Sequence, residues 1–306
     1  MAGYTGVTLG KVSDRYVVLP MQAITRQKPK RVNLAGRWFV RLLSTTMQPD
    51  LTLDGFTMSL PPSPVHGADP DPMLEISVPV QFEEVVGSAG EIRRLELEHL
   101  GDAFGRKEVP TAVHTRVKGG NLRFLGDNCW ITQTLGNRNN KNITCNLQMQ
   151  QAGPRAVLHF EPEEVAAAIV TCGGLCPGLN SVIRELVMTL WDYGVRRIWG
   201  IRGGYKGVVD PACWIKLTPD SVKDIHTLGG TVLVSDRGAP PVEDMVKVLV
   251  EKKVRQYFVL GGDGTHRGAM ESFECCLQAS HECAVVGVPK TIDNDVPLLD
   301  QTFGFD

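Results

Sequence analysis

Ala166-Ala167-Ala168-Ile169-Val170-Thr171-Cys172-Gly173-Gly174-Leu175-Cys176-Pro177-Gly178-Leu179-Asn180 is the stretch whose reading decides the fold. Six small and apolar residues run without a charge and end at a glycine-rich turn, the pattern of a short buried strand. The next segment, 180–193, carries Val182, Ile183, Leu186, Val187 and Leu190 on one helical face. Working toward the C-terminus, the spacing predicts a strand over 197–201 and a helix over 218–228 with Thr218 as its N-cap. It further predicts a strand over 231–234, a helix over 242–252, a strand over 256–260, a helix over 265–279 and a strand over 284–288. Strand and helix in this alternation mean βαβ units, a parallel sheet and right-handed crossovers.

Toward the N-terminus the texture differs. Residues 1–74 show no sustained period. The first fifty carry Lys11, Arg15, Arg26, Lys28, Lys30, Arg31, Arg37 and Arg41, against the single acid Asp14 before Asp50. The segment 37–43 could wind into a basic amphipathic helix of the kind found in organelle transit peptides, which are also serine-rich. Serine is scarce here, so a disordered basic extension is the favoured reading. Pro61-Pro62-Ser63-Pro64 to Pro72 reads as a linker. Segment 74–86 alternates partly, as a strand does, 92–100 reads as a short charged helix, and 101–150 reads as loop. The expected organisation is an extension over 1–74, a second extension over 75–152 packing on the core, and an α/β domain over 153–306.

The totals exclude several classes. A formal net charge of −2 gives no electrostatic case for nucleic acid or a membrane surface, and no apolar run approaches a membrane span. The eight cysteines form no CxxC pair and read as reduced thiols of an intracellular protein. The sequon at Asn142 carries little weight without a secretory signal.

Three strand-to-helix or post-strand turns carry chemistry, and a parallel sheet lines them along one edge. The turn 172–180 combines side-chain-free glycines with a helix N-terminus, which suits an anion, although its spacing is neither a Walker A loop nor a dinucleotide fingerprint. Leu260-Gly261-Gly262-Asp263-Gly264-Thr265 is a second such turn with an acid at its tip, placed to hold Mg²⁺ beside phosphates. Val288-Pro289-Lys290-Thr291-Ile292-Asp293-Asn294-Asp295 sets two carboxylates, a hydroxyl and an ammonium group after a buried strand. A carboxylate there can take a proton from an alcohol.

In this order and spacing the three motifs resemble those of the phosphofructokinases, with Gly203-Gly204-Tyr205-Lys206-Gly207 and the segment 229–238 between them. The GGLCPG form and the long N-terminal extension are most similar to the plant and protist branch. The resemblance, over 153–306, implies a doubly wound parallel sheet and phosphoryl transfer from ATP, with Mg²⁺, to the 1-hydroxyl of fructose 6-phosphate. It implies Asp293 as general base, Asp263 as metal ligand with Asp295 helping to place the metal or phosphoryl group, Thr291 against substrate, and Arg237 against the charge of the transferring group. Gly174, Tyr205, Gly262, Gly264 and Thr265 would line the nucleotide. Gly264 and Lys290 bear on donor choice. An acid at position 264 accompanies pyrophosphate use, so glycine favours ATP, whereas lysine at 290 is commoner in pyrophosphate enzymes.

The family continues past a point equivalent to Asp306 with the residues that grip the sugar phosphate. The domain is therefore expected to be incomplete at its C-terminus and weak in kinase activity by itself. Pyrophosphate dependence, a non-catalytic nucleotide-binding subunit and a lipid or nicotinamide-nucleotide acceptor are the alternatives. The resemblance further implies a homotetramer, in the cytoplasm or, from the basic N-terminus, the plastid.

Overall fold

The computed structural model describes residues 1–26, 92–111, 124–136, 144–294 and 296–305. The chain divides into two compact units. One holds Met1–Lys28, Arg94–Gln133 and Gln148–Asp306; the other holds Pro29–Arg93 and Thr134–Leu147, few of whose residues are described. The strands are β1 (Val7–Val12), β2 (Arg15–Pro20), β3 (Ile92–Arg94), β4 (Val109–Pro110), β5 (Trp130–Gly136), β6 (Thr144–Gln151), β7 (Val157–Leu158), β8 (Ala166–Thr171), β9 (Arg197–Ile201), β10 (Trp214–Lys216), β11 (Val254–Gly261) and β12 (Ala284–Pro289). The helices are α1 (Met21–Thr25), α2 (Leu100–Phe104), α3 (Leu179–Tyr193), α4 (Pro219–Val222), α5 (Val242–Glu251) and α6 (Asp263–Gln278).

The main sheet runs β10-β9-β8-β11-β12-β1-β2-β6. Its centre, β9-β8-β11-β12-β1, is parallel, with antiparallel pairs at both margins. Every residue of β8 is buried, and its alternate side chains feed two cores. Ala168 and Val170 pack with Met245, Leu249, Tyr257 and Phe273. Ala167 and Ile169 pack with Ile183, Val187 and Ile198. Helices therefore cover both faces, α5 and α6 on one and α3 on the other, which makes the sheet doubly wound. Each fully buried Leu, Ile or Val contributes about 1.5–3 kcal/mol of apolar burial. The chain leaves β8 in one direction to β9 and later returns on its other side to β11. The crevice at the carboxyl ends of β8 and β11 is thus the topological switch point, where open α/β sheets bind ligands.

The periodicity over 166–289 translates directly into α3, α5, α6, β8, β9, β11 and β12. Thr218 is the expected N-cap: it and Ser221 form a reciprocal capping box, but the helix lasts only one turn and resumes as a 3₁₀ turn at Ile225–Thr227. Four expectations are corrected. Segment 231–234 is a turn, not a strand, with Val234 at φ 54°; the sheet contact comes two residues later, where Asp236 bridges Cys172. Segment 92–100 is not a helix, since β3 opens it and α2 begins only at Leu100. Segment 101–150 contains strands. Residues 1–26 are not an unstructured extension, because β1 pairs with β12 in parallel and β2 pairs back on β1, with Val7, Val12, Val17 and Leu19 buried. The basic helix at 37–43, the proline-rich linker and the strand at 74–86 lie outside the described residues. The seven described cysteines are unpaired. Among the described residues no helix is long and apolar enough to cross a membrane.

Candidate active site

The turn after β8 opens with Cys172, whose backbone N–H donates to Leu260 O at 2.9 Å, so it leaves in register with the end of β11. Gly173, at φ 81°, then swings the chain out of the sheet. Its N–H donates to Asp236 O (3.0 Å), and its carbonyl accepts from Ser235 Oγ (2.6 Å). These bonds dock the 231–238 loop beside the turn. A Cβ placed on Gly174 would lie 4.0 Å from Arg237 Nη2, so the exposed guanidinium faces the open backbone of this turn. Asn180, buried in the first turn of α3, donates to Leu228 O (3.1 Å) and accepts from Val232 N (2.9 Å), fastening the other end of the same loop. Lys206 pairs with Asp236 at 2.9 Å and adds the 203–207 segment.

The turn after β11 is built for close approach. A Cβ on Gly261 would stand 2.4–2.5 Å from the Thr265 side chain, which folds over it as α6 begins. Gly262 is the N-cap, and neither α3 nor α6 has a side-chain cap. Both helix starts therefore leave first-turn N–H groups and a positive dipole end at one crevice. Tyr205 is buried behind this turn and donates its hydroxyl to Thr265 O at 2.6 Å. Burial holds its phenol well above the usual range, so it acts as a neutral brace. Asp263 is half-exposed at the first position of α6 and is ion-paired with Arg267 one turn on. A Cβ on Gly264 would meet nothing within 4 Å.

The third element follows β12. Lys290 N–H donates to Gly261 O (3.0 Å), which fixes the two turns side by side. The Lys290 side chain is buried, and no hydrogen bond or ion pair from its ammonium group is found among the described residues. Its charge acts on Cys172 and Cys176 of the first turn. Burial pushes the Cys172 thiol up to about 12, so it stays protonated and unreactive. Thr291 is buried and its Oγ1 accepts from the N–H of Asp293 at 3.0 Å, leaving the Asp293 carboxylate exposed. Asn294, at φ 51°, closes the loop through Asp300 O (2.7 Å) and Thr302 N (3.1 Å). Asp295 lies outside the described residues.

The expected positions Gly174, Arg237, Gly262, Asp263, Gly264, Thr265, Lys290, Thr291 and Asp293 thus fall on turns at one sheet edge, several of them joined by backbone bonds. Among the described residues no group of three or more His, Cys, Asp or Glu could hold a metal alone. Asp263 as a single carboxylate suits Mg²⁺, which takes one or two protein carboxylates and completes its shell with phosphates and water. Sequence reading missed Asn180, Lys206, Ser235 and Asp236, whose roles depend on contacts 30–62 residues apart. It also missed His266, which joins Gly262 O to Thr8 Oγ1 of β1, both at 3.0 Å, through a fully buried ring. Only the polar residues flanking each glycine turn could have hinted at them.

The segment that carries these turns is similar to known proteins. The phosphofructokinase family model matches residues 166–306. An ATP-dependent 6-phosphofructokinase (number 5, chloroplastic) of Arabidopsis thaliana is 50% identical over 159 residues, 52% of this chain and 30% of that protein. The ATP-dependent 6-phosphofructokinases of Borreliella burgdorferi and Entamoeba histolytica are 45% and 46% identical, over 52% of this chain and 36–37% of theirs. Among solved structures, phosphofructokinase from Saccharomyces cerevisiae aligns with a TM-score of 0.41 at 26% identity, covering 46% of this chain and 22% of that one. The matched segment thus spans about a third of the length of its curated relatives. Over residues 166–306, this chain is similar to the phosphofructokinase family.

Proposed function

We propose that 153–306 forms the nucleotide and catalytic-base side of an ATP-dependent 6-phosphofructokinase, which transfers the γ-phosphoryl group of ATP to the 1-hydroxyl of fructose 6-phosphate. The observation that carries this reading is the convergence of two uncapped helix starts and the 290–294 loop at the β8–β11 switch point. Phosphoryl transfer needs little covalent chemistry from the protein and much positioning and charge stabilisation, and the edge supplies both.

In this reading the glycine backbones of Gly174, Gly262 and Gly264, with Thr265, line the ATP phosphates, and Tyr205 braces them from behind. Arg237 offsets charge on the transferring group. Asp293, with substrate held by Thr291, takes the hydroxyl proton, and Asp295 assists in placing the phosphoryl group. Asp263 would hold Mg²⁺, whose chemistry is to neutralise the phosphate oxygens. The open space beside Gly264 leaves room for the inner phosphate of ATP. Pyrophosphate as donor is the second reading, favoured by Lys290, a largely buried side chain whose ammonium group has no partner among the described residues and would suit a compact anion. Comparing turnover of fructose 6-phosphate with ATP and with pyrophosphate tests the two directly. Faster turnover with pyrophosphate would overturn the first.

Binding energy from a distant sugar phosphate helps position the reacting hydroxyl, and the matched relatives extend well beyond the segment this chain shares with them. Low turnover by the 306-residue chain, with Mg-ATP binding retained, is the expected outcome. A homotetrameric, cytosolic enzyme is proposed for the whole protein, with the plastid as the alternative address suggested by the basic first fifty residues.

A further inference from the structure

Thr8 of β1, His266 of α6 and Gly287 of β12 meet behind the Gly261–Thr265 turn, and all three are buried. A Cβ on Gly287 would stand 2.5 Å from His266 Nε2 and 3.3 Å from Thr8 Oγ1. The imidazole therefore lies against bare backbone of β12, and a side chain at 287 would displace it. Through this ring β1, which lies far outside the segment carrying the glycine turns, reaches the candidate nucleotide site.

The hydrogen bonds of the ring have one consistent assignment. His266 Nδ1 lies 3.0 Å from Gly262 O. A carbonyl can only accept, so Nδ1 carries the hydrogen. Burial lowers the pKa of the imidazole and keeps it neutral, which leaves Nε2 a lone pair. The Thr8 hydroxyl has one hydrogen and two acceptors in reach, Nε2 at 3.0 Å and Gly287 O at 3.2 Å. Nε2 is the nearer and takes it. Gly262 O thus receives two bonds from one residue, from the His266 ring and from its backbone N–H, also at 3.0 Å.

That carbonyl belongs to the N-cap of α6. The peptide joining Gly262 to Asp263 is planar and trans, so its N–H points opposite to its C=O. With the carbonyl drawn into the helix, the Asp263 N–H points out of the helix start into the crevice, one of the first-turn donors that no helical bond uses. A donor aimed in advance spares an anion the cost of ordering it. We propose that His266 and Thr8 are positioning residues for the nucleotide: the ring clamps the Gly262–Asp263 peptide so that its N–H faces the phosphates, and Thr8 holds the ring in the donating tautomer. This role rests on the reading of the turn as a phosphate site.

The test is calorimetric titration of the 306-residue chain and its variants with Mg-ATP. His266→Phe keeps a flat ring but no donor, and is expected to weaken Mg-ATP about tenfold, near 1.4 kcal/mol. His266→Asn loses the ring but sets an amide N–H within reach of the same carbonyl, and should stay within about twofold. The Asn variant leaves the larger void and should melt lower than the Phe variant. Affinity and stability are therefore expected to rank the two in opposite order; the same order for both would overturn the proposal. Thr8→Val should weaken binding about fivefold beside His266 and not at all beside His266→Asn, whose amide has no tautomer to hold. Thr8→Ser should restore it. An equal loss in both backgrounds would reduce Thr8 to packing. Histidine ¹⁵N spectra should show the Nδ1–H tautomer for the signal lost in His266→Asn, and the Nε2–H tautomer would overturn the clamp. Should His266→Phe not fold, the Thr8 variants and the tautomer decide. If the unaltered chain fails to bind Mg-ATP, the nucleotide reading falls and the positioning role with it; equal binding by every variant removes the positioning role alone.

Discussion

The two ends of β11 and β12 treat charge in opposite ways. At the amino end Glu282 is buried and shared among Lys107, His159 and Arg255, at 2.9–3.1 Å. At the carboxyl end Asp263, Asp293 and Arg237 face solvent, two helix starts have no side-chain cap, and the ammonium group of the largely buried Lys290 has no partner among the described residues. Charges at the first end are satisfied by one another. Those at the second, apart from the exposed Asp263–Arg267 pair, remain available to something that binds. A single sheet therefore separates the polar groups that hold it together from those that do chemistry, and each end should respond differently to mutation.

The largest effect is expected at the open end. Asp293→Asn removes the proposed base while keeping a side chain of the same shape, and the bond from its N–H to Thr291 Oγ1 is unaffected. Phosphorylation of fructose 6-phosphate should fall about 10²–10⁴-fold, the usual scale for a lost general base. Mg-ATP affinity by calorimetry should stay within about twofold, and so should thermal stability. A matching loss of affinity would mean that Asp293 belongs to the binding surface and not to the proton transfer.

The closed end should answer in stability. Glu282→Ala leaves His159 without the acceptor for its Nε2–H and deprives two cations of their partner. Removing one member of a buried ionic cluster typically costs 3–5 kcal/mol; about 3 is expected here, because Lys107 and Arg255 can turn to water. Urea unfolding measures it, and Mg-ATP binding by the folded chain should not change. Unchanged stability would erase the contrast between the two edges.

The histidines add a pH dependence to the same comparison. Burial holds His159, His266 and His281 below their ordinary value of 6.5. Each is neutral when folded, so as pH falls below about 6.5 the unfolded chain takes up protons that the folded chain resists, and stability drops. Glu282, held below 4.5, acts in the same direction at lower pH: its contribution is present above about 4.5 and lost as pH falls through the folded value. The urea midpoint should therefore be lower at pH 5 than at pH 7.5. An unchanged midpoint would mean that these rings are hydrated in the folded chain.

How much of this was legible follows from which contacts are local. β8, β11 and β12 could be read because strands buried on both faces are uninterrupted apolar runs, and the glycine turns sit where those runs stop. β1 was invisible for the opposite reason. Val7–Val12 is short, broken by Gly10, and becomes a strand through pairing with Val286 and Gly287 nearly 280 residues away. Segment 231–234 misled because its apolar residues look like a strand, yet Leu233 is buried while Val234 is exposed in a turn. At the site, Gly261, Asp263 and Asp293 announced themselves by residue type. The burial of Lys290 and the His266–Thr8 bond did not, since both arise from elements that meet only after folding.

The smallest effect is also the one that isolates function from fold. A Cβ at Gly264 meets nothing within 4 Å and its backbone is helical, so Gly264→Asp introduces no clash. A carboxylate in the first turn of α6 is favoured by the helix dipole by about 0.3–1 kcal/mol, and replacing glycine inside a helix adds to that. Stability should hold or rise slightly in thermal melts. The same carboxylate would stand where the ATP phosphates are proposed to lie, and about a tenfold loss of Mg-ATP affinity, near 1.4 kcal/mol, is expected. A stabilised chain that binds ATP less well places the nucleotide at this helix start. A stabilised chain with unchanged affinity would move the phosphates away from Gly264 and toward the 172–180 turn.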